Sequence, residues 1–199
     1  MFAALYDRMS RSSEDAGLRD MRHGLLAEAG GHVLEIGGGT GANLPHYGEA
    51  VESLALTEPD PAMLRRLRRK TQEQSLRAEI LQAPAEDLPF DDDSFDTVVS
   101  TLVLCGVDSQ ARALSEARRV LRPGGKLLFI EHVRSNDAGV ARLQDRISPL
   151  NRFLFGCDCN RQTLSMIEQA GFTVARVEQT ELPKAPKFVR PSIVGSASA

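Results

Sequence analysis

The stretch from Val33 to Asn43, VLEIGGGTGAN, leaves a chain few ways to fold. Val33, Leu34 and Ile36 form a short apolar run that reads as a buried strand, with Glu35 the single charge inside it. Gly37, Gly38, Gly39, Thr40 and Gly41 follow. Glycine permits φ > 0, and without a Cβ the backbone can approach a ligand closely. Such a turn, after a strand and before a helix, is a nucleotide-type binding turn of α/β proteins. An ordinary tight turn is the plain alternative, but it does not call for four glycines in five positions.

The spacing alone leaves the ligand open. Gly37, Gly39 and Ala42 satisfy G-x-G-x-x-[GA], the dinucleotide fingerprint. Glu35 argues against it, because a carboxylate just before the glycines repels a pyrophosphate and suits a ligand with a positive centre, such as an amino-acid ammonium. Glu35, Gly37, Gly39 and Gly41 match [DE]-x-G-x-G-x-G position for position. The turn thereby resembles motif I of class I S-adenosylmethionine (SAM) methyltransferases, whose cofactor carries an ammonium and a sulfonium.

The chain has 199 residues, enough for one domain with a sizeable core. Its net charge is −3 with the signs interspersed, which gives no support for a nucleic-acid partner. No run of 18 or more apolar residues exists, so no membrane span is expected. Met1 to Ser13 lacks the basic start and apolar stretch of a signal peptide. Cys105, Cys157 and Cys159 make an odd count, read as reduced thiols in a cytoplasm.

Two helices are expected first, Phe2 to Ser10 and Glu14 to Ala29; the resemblance implies that they cover the cofactor or substrate, with Tyr6 and Met9 either touching the site or simply packing. Strands follow at Val51–Thr57, Ala78–Gln82, Phe95–Leu104 and Lys126–Val133. The fourth is nearly continuously apolar, as a central parallel strand should be. Helices are expected from Pro61 to about Gln74, capped by Asp60, and from Ser109 to Val120. A further helix spans Asp137 to Leu150, then a lid over Asn151 to Asn160, and Asn160 caps a helix running to Ala170. Phe172–Gln179 and Phe188–Val194 complete the strands, and the Ser/Ala tail after Val194 looks frayed.

Glu58 ends the second strand 23 residues after Glu35, where an acid accepts both ribose hydroxyls. Further strings carry the resemblance. APAEDLPF, from Ala83, is similar to the G-D-A-E-x-L-P-F segment of ubiquinone/menaquinone-type methyltransferases, with Pro84 in place of the acid. TLVLCGVD at Thr101, LRPGGKLLFIEHV at Leu121, the Gly-Cys-x-x-Asn-Arg pattern at Gly156 and VRPSIVG near the C-terminus resemble the branch that contains the methyltransferase-like 7 proteins. Members of that branch resemble small-molecule thiol S-methyltransferases. The resemblance implies a three-layer Rossmann-like sandwich in one domain. Its sheet has seven strands, mostly parallel with an antiparallel C-terminal strand.

It places SAM, and its product S-adenosylhomocysteine, on Glu35, Gly37, Gly39, Gly41 and Asn43, on Glu58, Pro59 and Met63, on Ala85 and Glu86, and on Thr101 and Leu102. Methyl transfer from a sulfonium is an in-line displacement in which alignment does most of the work. A thiol, with an ordinary pKa of about 8.5, needs little base catalysis. His132 is the leading base and Cys105 a wall of the acceptor site or a second catalytic group, each with ordinary packing as the alternative. Cys157 and Cys159 lack a second pair of metal ligands, so no metal is expected. Phe153, Leu154 and Phe155 suggest an apolar acceptor pocket or lid. The expected reaction is SAM-dependent methylation of a small, fairly apolar acceptor, thiol sulfur first and a phenol or quinone-ring carbon second. A nicotinamide-dependent oxidoreductase and a SAM-binding protein without catalysis are the rivals.

Overall fold

The computed structural model describes residues 10–199. The helix expected over Phe2 to Ser10, with Tyr6 and Met9, falls almost wholly outside them. Seven strands, β1 (Gly31–Ile36), β2 (Val51–Thr57), β3 (Glu79–Leu81), β4 (Phe95–Thr101), β5 (Leu121–His132), β6 (Thr173–Glu181) and β7 (Pro191–Ser198), form a single sheet in the order β3-β2-β1-β4-β5-β7-β6. The first five pair in parallel, and β7 runs antiparallel to both β5 and β6.

Period-two alternation sorts the core into two layers. Leu34, Ile36, Val98, Leu127 and Phe129 face one side, where Ala113, Leu114 and Ala117 of α3 (Gln110–Val120) and Ile167 of α5 (Thr163–Gln169) meet them. Val33, Leu56, Val99, Leu128 and Ile130 face the other, against Leu25 and Leu26 of α1 (Arg19–Leu26) and Leu67 of α2 (Pro61–Glu73). Both faces are covered, so the strands read as continuous apolar runs, and the three-layer sandwich is as expected.

α1 is preceded by a wider turn, Glu14–Leu18, broken at Gly17 with φ 134°. The expected single helix from Glu14 to Ala29 is therefore shorter and kinked. α2 starts as its sequence says: Asp60 Oδ1 accepts the N–H of Ala62 at 2.8 Å and of Met63 at 2.7 Å, with Pro61 in the first turn. Asp60→Ala should lower stability by ~1 kcal/mol, within the range of lost N-caps, read as a shift in urea midpoint without a change in slope.

Five local expectations are corrected. β4 ends at Thr101 rather than Leu104, because Leu102 takes φ 61° and turns the chain away. The lid expected over Asn151 to Asn160 is in its first half helix: α4 (Ala138–Phe155) continues through Pro149 to Gly156, whose φ of 70° ends it. Phe153, Leu154 and Phe155 are 85%, 51% and 43% exposed and point outward rather than line a pocket. Asn160 does not cap α5. Its side chain accepts from Ser148 Oγ at 2.9 Å and donates to Asp145 at 3.1 Å, and Gln162 precedes the helix without a side-chain cap. The tail after Val194 is not frayed: Gly195 to Ser198 pair on both sides within β7. There a Cβ on Gly195 would stand 2.2 Å from the Arg176 carbonyl oxygen, so only a glycine lets the strands close.

The chain reverses its direction of winding between β1 and β4. In open α/β sheets ligands bind outside the carboxyl ends of the strands at such a switch point. Glu35, Glu58, Thr101 and His132 all stand at or next to these ends.

Candidate active site

The glycine turn after β1 is packed too tightly for side chains at two positions. At Gly37, φ 61°, a Cβ would lie 2.6 Å from Val103 Cγ2; at Gly41, φ 81°, it would lie 2.8 Å from Leu44 Cδ1. The turn is tied to the end of β2 by Glu58. Its Oε2 accepts the Gly39 N–H at 2.8 Å and its Oε1 the Asp60 N–H at 2.8 Å. Each oxygen keeps a second lone pair. Burial pushes this carboxyl above its ordinary pKa, against the pull of the two backbone donors. Met63 is half-buried on the first turn of α2, and Pro59 is exposed beside it.

Behind the turn lies a buried polar network. Asn43 Nδ2 donates to Glu35 Oε1 and to Thr101 Oγ1, each at 2.9 Å. Tyr47 donates its hydroxyl to Glu35 Oε2 at 2.7 Å. Arg22, from α1, donates through Nη1 to Asn43 Oδ1 at 2.8 Å and Thr101 Oγ1 at 2.9 Å, and through Nε to Glu14 at 3.0 Å. Desolvation raises Glu35 to about 7, although Tyr47, Arg22 and Asn43 all oppose it. A carboxyl buried beside one arginine, on a face of the turn, holds ready a charge for a cationic ligand. Arg22, Tyr47 and Glu14 are the members that the sequence reading did not place at the site. One arginine among many on an amphipathic helix carries no signal of its own, whereas Tyr47 stands only 12 residues from Glu35.

Ala85 is buried, and Glu86 Oε1 accepts the N–H groups of Asp108 at 2.7 Å and Ser109 at 3.1 Å, just before α3. Leu102 sits in a left-handed conformation that a branched side chain rarely adopts. Glu131 holds it there. Its Oε1 accepts from Ser100 Oγ at 2.7 Å, Val103 N at 3.0 Å and Leu104 N at 3.1 Å, while Leu102 N donates to Ile130 O at 2.7 Å. Glu131 is fully buried, its Oε2 has no hydrogen-bond partner among the described residues, and desolvation raises its pKa. It too was missed, although its signal matched that of Glu35: a lone carboxylate inside an apolar strand.

At the end of β5, His132 Nδ1 lies 3.3 Å from Cys157 Sγ. One ligand atom from each of Cys105, His132 and Cys157 can be taken so that all lie within 4.8 Å of one another. The hydrogen bond between the two thiols pulls Cys157 down to about 5 and, with burial, pushes Cys105 well up. Cys159, which sequence spacing pairs with Cys157, stays outside the cluster, fully buried, with burial raising its thiol to about 11.

A doubly wound sheet with a glycine turn at its switch point, an acid after β2 and no room for side chains at Gly37 and Gly41 defines an enzyme of the nucleoside-cofactor-binding α/β class. Comparison with known proteins takes this further. A methyltransferase-domain family model matches residues 34–129. The human thiol S-methyltransferase TMT1A is 35% identical over 170 residues, covering 83% of this chain and 69% of that protein. The ubiquinone/menaquinone biosynthesis C-methyltransferase UbiE of Marinomonas sp. is 34% identical over 125 residues, 60% of this chain and 50% of that protein. A putative methyltransferase of Bacillus halodurans has the same fold, with a TM-score of 0.74 at 18% identity over 90% of this chain and 98% of that one. The chain belongs to the class I SAM-dependent methyltransferases. It is a SAM-dependent methyltransferase of a small molecule, which removes the nicotinamide reading. Among the described residues no helix is long and apolar enough to cross a membrane.

Proposed function

We propose that the acceptor is a small thiol and that the product is its S-methyl thioether. The observation that carries this reading is the sulfur- and imidazole-lined ground past β4 and β5, where Cys105, His132 and Cys157 converge. The likeness to a thiol S-methyltransferase over most of the chain supports it. The residues of the turn fit SAM: Gly37 and Gly41 leave room where side chains would collide, and Glu58 keeps lone pairs for two ribose hydroxyls. Arg22 and Glu35 offer opposite charges to the carboxylate and ammonium of its amino-acid end.

When bound, SAM supplies a methyl group on a sulfonium, already a good leaving group. What remains for the chain is to hold an acceptor sulfur in line with it and to keep that sulfur deprotonated. Alignment of this kind is worth several kcal/mol, up to about 7–11. His132 Nδ1 stands where it can take a thiol proton, and Glu131 holds the Val103–Leu104 backbone beside it.

An acceptor panel tests the reading. Apolar alkyl and aryl thiols should turn over at least tenfold faster in kcat/KM than phenols of matched size, because at neutral pH a thiol is a few per cent thiolate and a phenol far less. Turnover confined to phenols or quinols would move the assignment to O- or C-methylation. SAM binding without turnover on any acceptor would favour a non-catalytic binder.

A further inference from the structure

We propose that Cys105 Sγ, His132 Nδ1 and Cys157 Sγ form a three-ligand site for a thiophilic divalent cation, zinc by its chemistry, with one coordination position left for the acceptor thiolate. Two thiolates and one imidazole are a donor set that zinc favours, and three protein ligands with an open fourth position mark its catalytic sites. Tetrahedral zinc, with bonds of ~2.0–2.3 Å, sets sulfur and nitrogen ligands ~3.5–3.8 Å apart. The cluster lies close to that scale: His132 Nδ1 and Cys157 Sγ are 3.3 Å apart, slightly nearer than two zinc ligands, and one ligand atom from each of the three residues lies within 4.8 Å of the others, so the side chains need to shift by an ångström or less to close on an ion.

The three residues come from different parts of the chain, yet their backbones are fastened together. The Asp158 N–H donates to the Cys105 carbonyl at 2.8 Å, which clips the segment after β4 to the segment after α4. Asn151 Nδ2 donates to the Cys157 carbonyl at 2.6 Å. Arg161 donates to the carbonyls of Leu104 at 3.0 Å and Val107 at 2.7 Å and to Asp158 at 2.7 Å, and Arg152 reaches the same carboxylate at 2.8 Å. Thr163 Oγ1 approaches the His132 carbonyl at 3.4 Å. These bonds fix the backbones that carry the three ligands, and the Cys105 thiol itself donates to the Leu102 carbonyl at 3.7 Å. Two further neighbours bear on the charge. Arg161 favours the thiolate form of Cys105, and the fully buried Glu131 opposes it.

On binding, each cysteine thiol gives its proton to solvent and its sulfur lone pair to the ion, and His132 binds through Nδ1 with its proton on Nε2. No electron is transferred. A thiol entering the fourth position likewise loses its proton and stays bound as thiolate, a sulfur nucleophile ready for an electrophilic carbon. The ion then does the work that the proposed base would do. This second half rests on the thiol reading above; the site itself does not.

The test uses the whole reduced chain, purified without metal and titrated with cobalt(II), a spectroscopic stand-in for zinc. We expect thiolate-to-cobalt charge-transfer absorption, intense d–d bands of a tetrahedral ion, and saturation at one ion per chain. Cys159→Ser, outside the cluster, should leave the spectrum as it is. Cys157→Ser should remove about half of the charge-transfer intensity, one of two thiolates. Zinc should displace cobalt and protect Cys157 from alkylation. Absence of the charge-transfer band in reduced, folded protein, or its persistence undiminished in Cys157→Ser, overturns the site. The catalytic half is read apart from this. Removing the ion should slow thiol methylation at least tenfold and leave SAM affinity, measured by calorimetry, unchanged. Thiol methylation that ignores the ion overturns that half. A bound ion with no thiol turnover upholds the site and overturns the acceptor.

Discussion

Glu58→Ala should weaken SAM binding by roughly ten- to 150-fold, the 1.5–3 kcal/mol of hydrogen bonds to a charged group. The carboxylate is held in place by backbone donors from two directions, Gly39 N–H and Asp60 N–H, so it loses little freedom on binding a diol. Bidentate acceptance from two adjacent hydroxyls is a task that a fixed carboxylate does well and an alanine not at all. Alanine also leaves the two N–H groups without their acceptor, so part of the loss would come from a looser turn. Glu58→Gln separates the two contributions. Its amide oxygen keeps one backbone donor, but its NH2 group faces the other N–H and cannot accept from ribose, so binding should fall by several-fold with a smaller loss of stability than in the alanine variant. Titration calorimetry with SAM and S-adenosylhomocysteine reads both. Undiminished affinity in the alanine variant would place the ribose elsewhere.

Glu35→Gln should change how stability depends on pH, by about 3 kcal/mol across a defined window. Burial lifts Glu35 from 4.5 to about 7. Between those values the folded protein keeps a proton that the unfolded chain has lost, so unfolding free energy falls as pH rises, and it levels off above about 7. A shift from 4.5 to about 7 at ~1.4 kcal/mol per unit sets the magnitude. Glutamine carries no titrating group, still accepts from Asn43 Nδ2, and can donate to the Tyr47 oxygen. The wild-type stability minus that of the variant should therefore decline through this window and be flat on either side. Urea unfolding at a series of pH values from 4.5 to 8 measures it. A difference independent of pH would mean that Arg22 and the hydrogen bonds keep Glu35 ionised throughout. The same variant should bind SAM more weakly above pH 7, where the wild-type carboxylate is charged and an ammonium is the matching partner.

These two residues illustrate what a linear reading can reach. Glu35 and Glu58 announce themselves because a charge at the end of an apolar run is costly unless a task or partner accounts for it. The glycine turn is legible for the same reason: its conformations are closed to other residues. Strand and helix positions followed from alternation and caps, and their order, β-α-β repeated, implied the parallel sheet. Asp60 shows the accuracy available when a cap is local, since both of its bonds fall within three residues.

The misses have one physical cause, contacts between segments distant in sequence. Arg22 meets Thr101, 79 positions away, and Cys157 meets His132, 25 positions away. Spacing in the chain suggested Cys157 with Cys159, but packing chose Cys105 and His132 as its neighbours and left Cys159 buried apart. The Ser/Ala tail, weak as a strand by composition, is ordered because β5 and β6 offer it hydrogen-bond partners on both edges. The phenylalanines of α4 looked like pocket walls until the helix extended through them and turned them to solvent. Local conformational limits and the cost of burying charge lie in the sequence, and together with the resemblance they yielded the class of enzyme and an expected place for its cofactor. Which side chains share the acceptor end depended on how β4, β5 and α4 come together, a matter of tertiary packing that no local signal encodes.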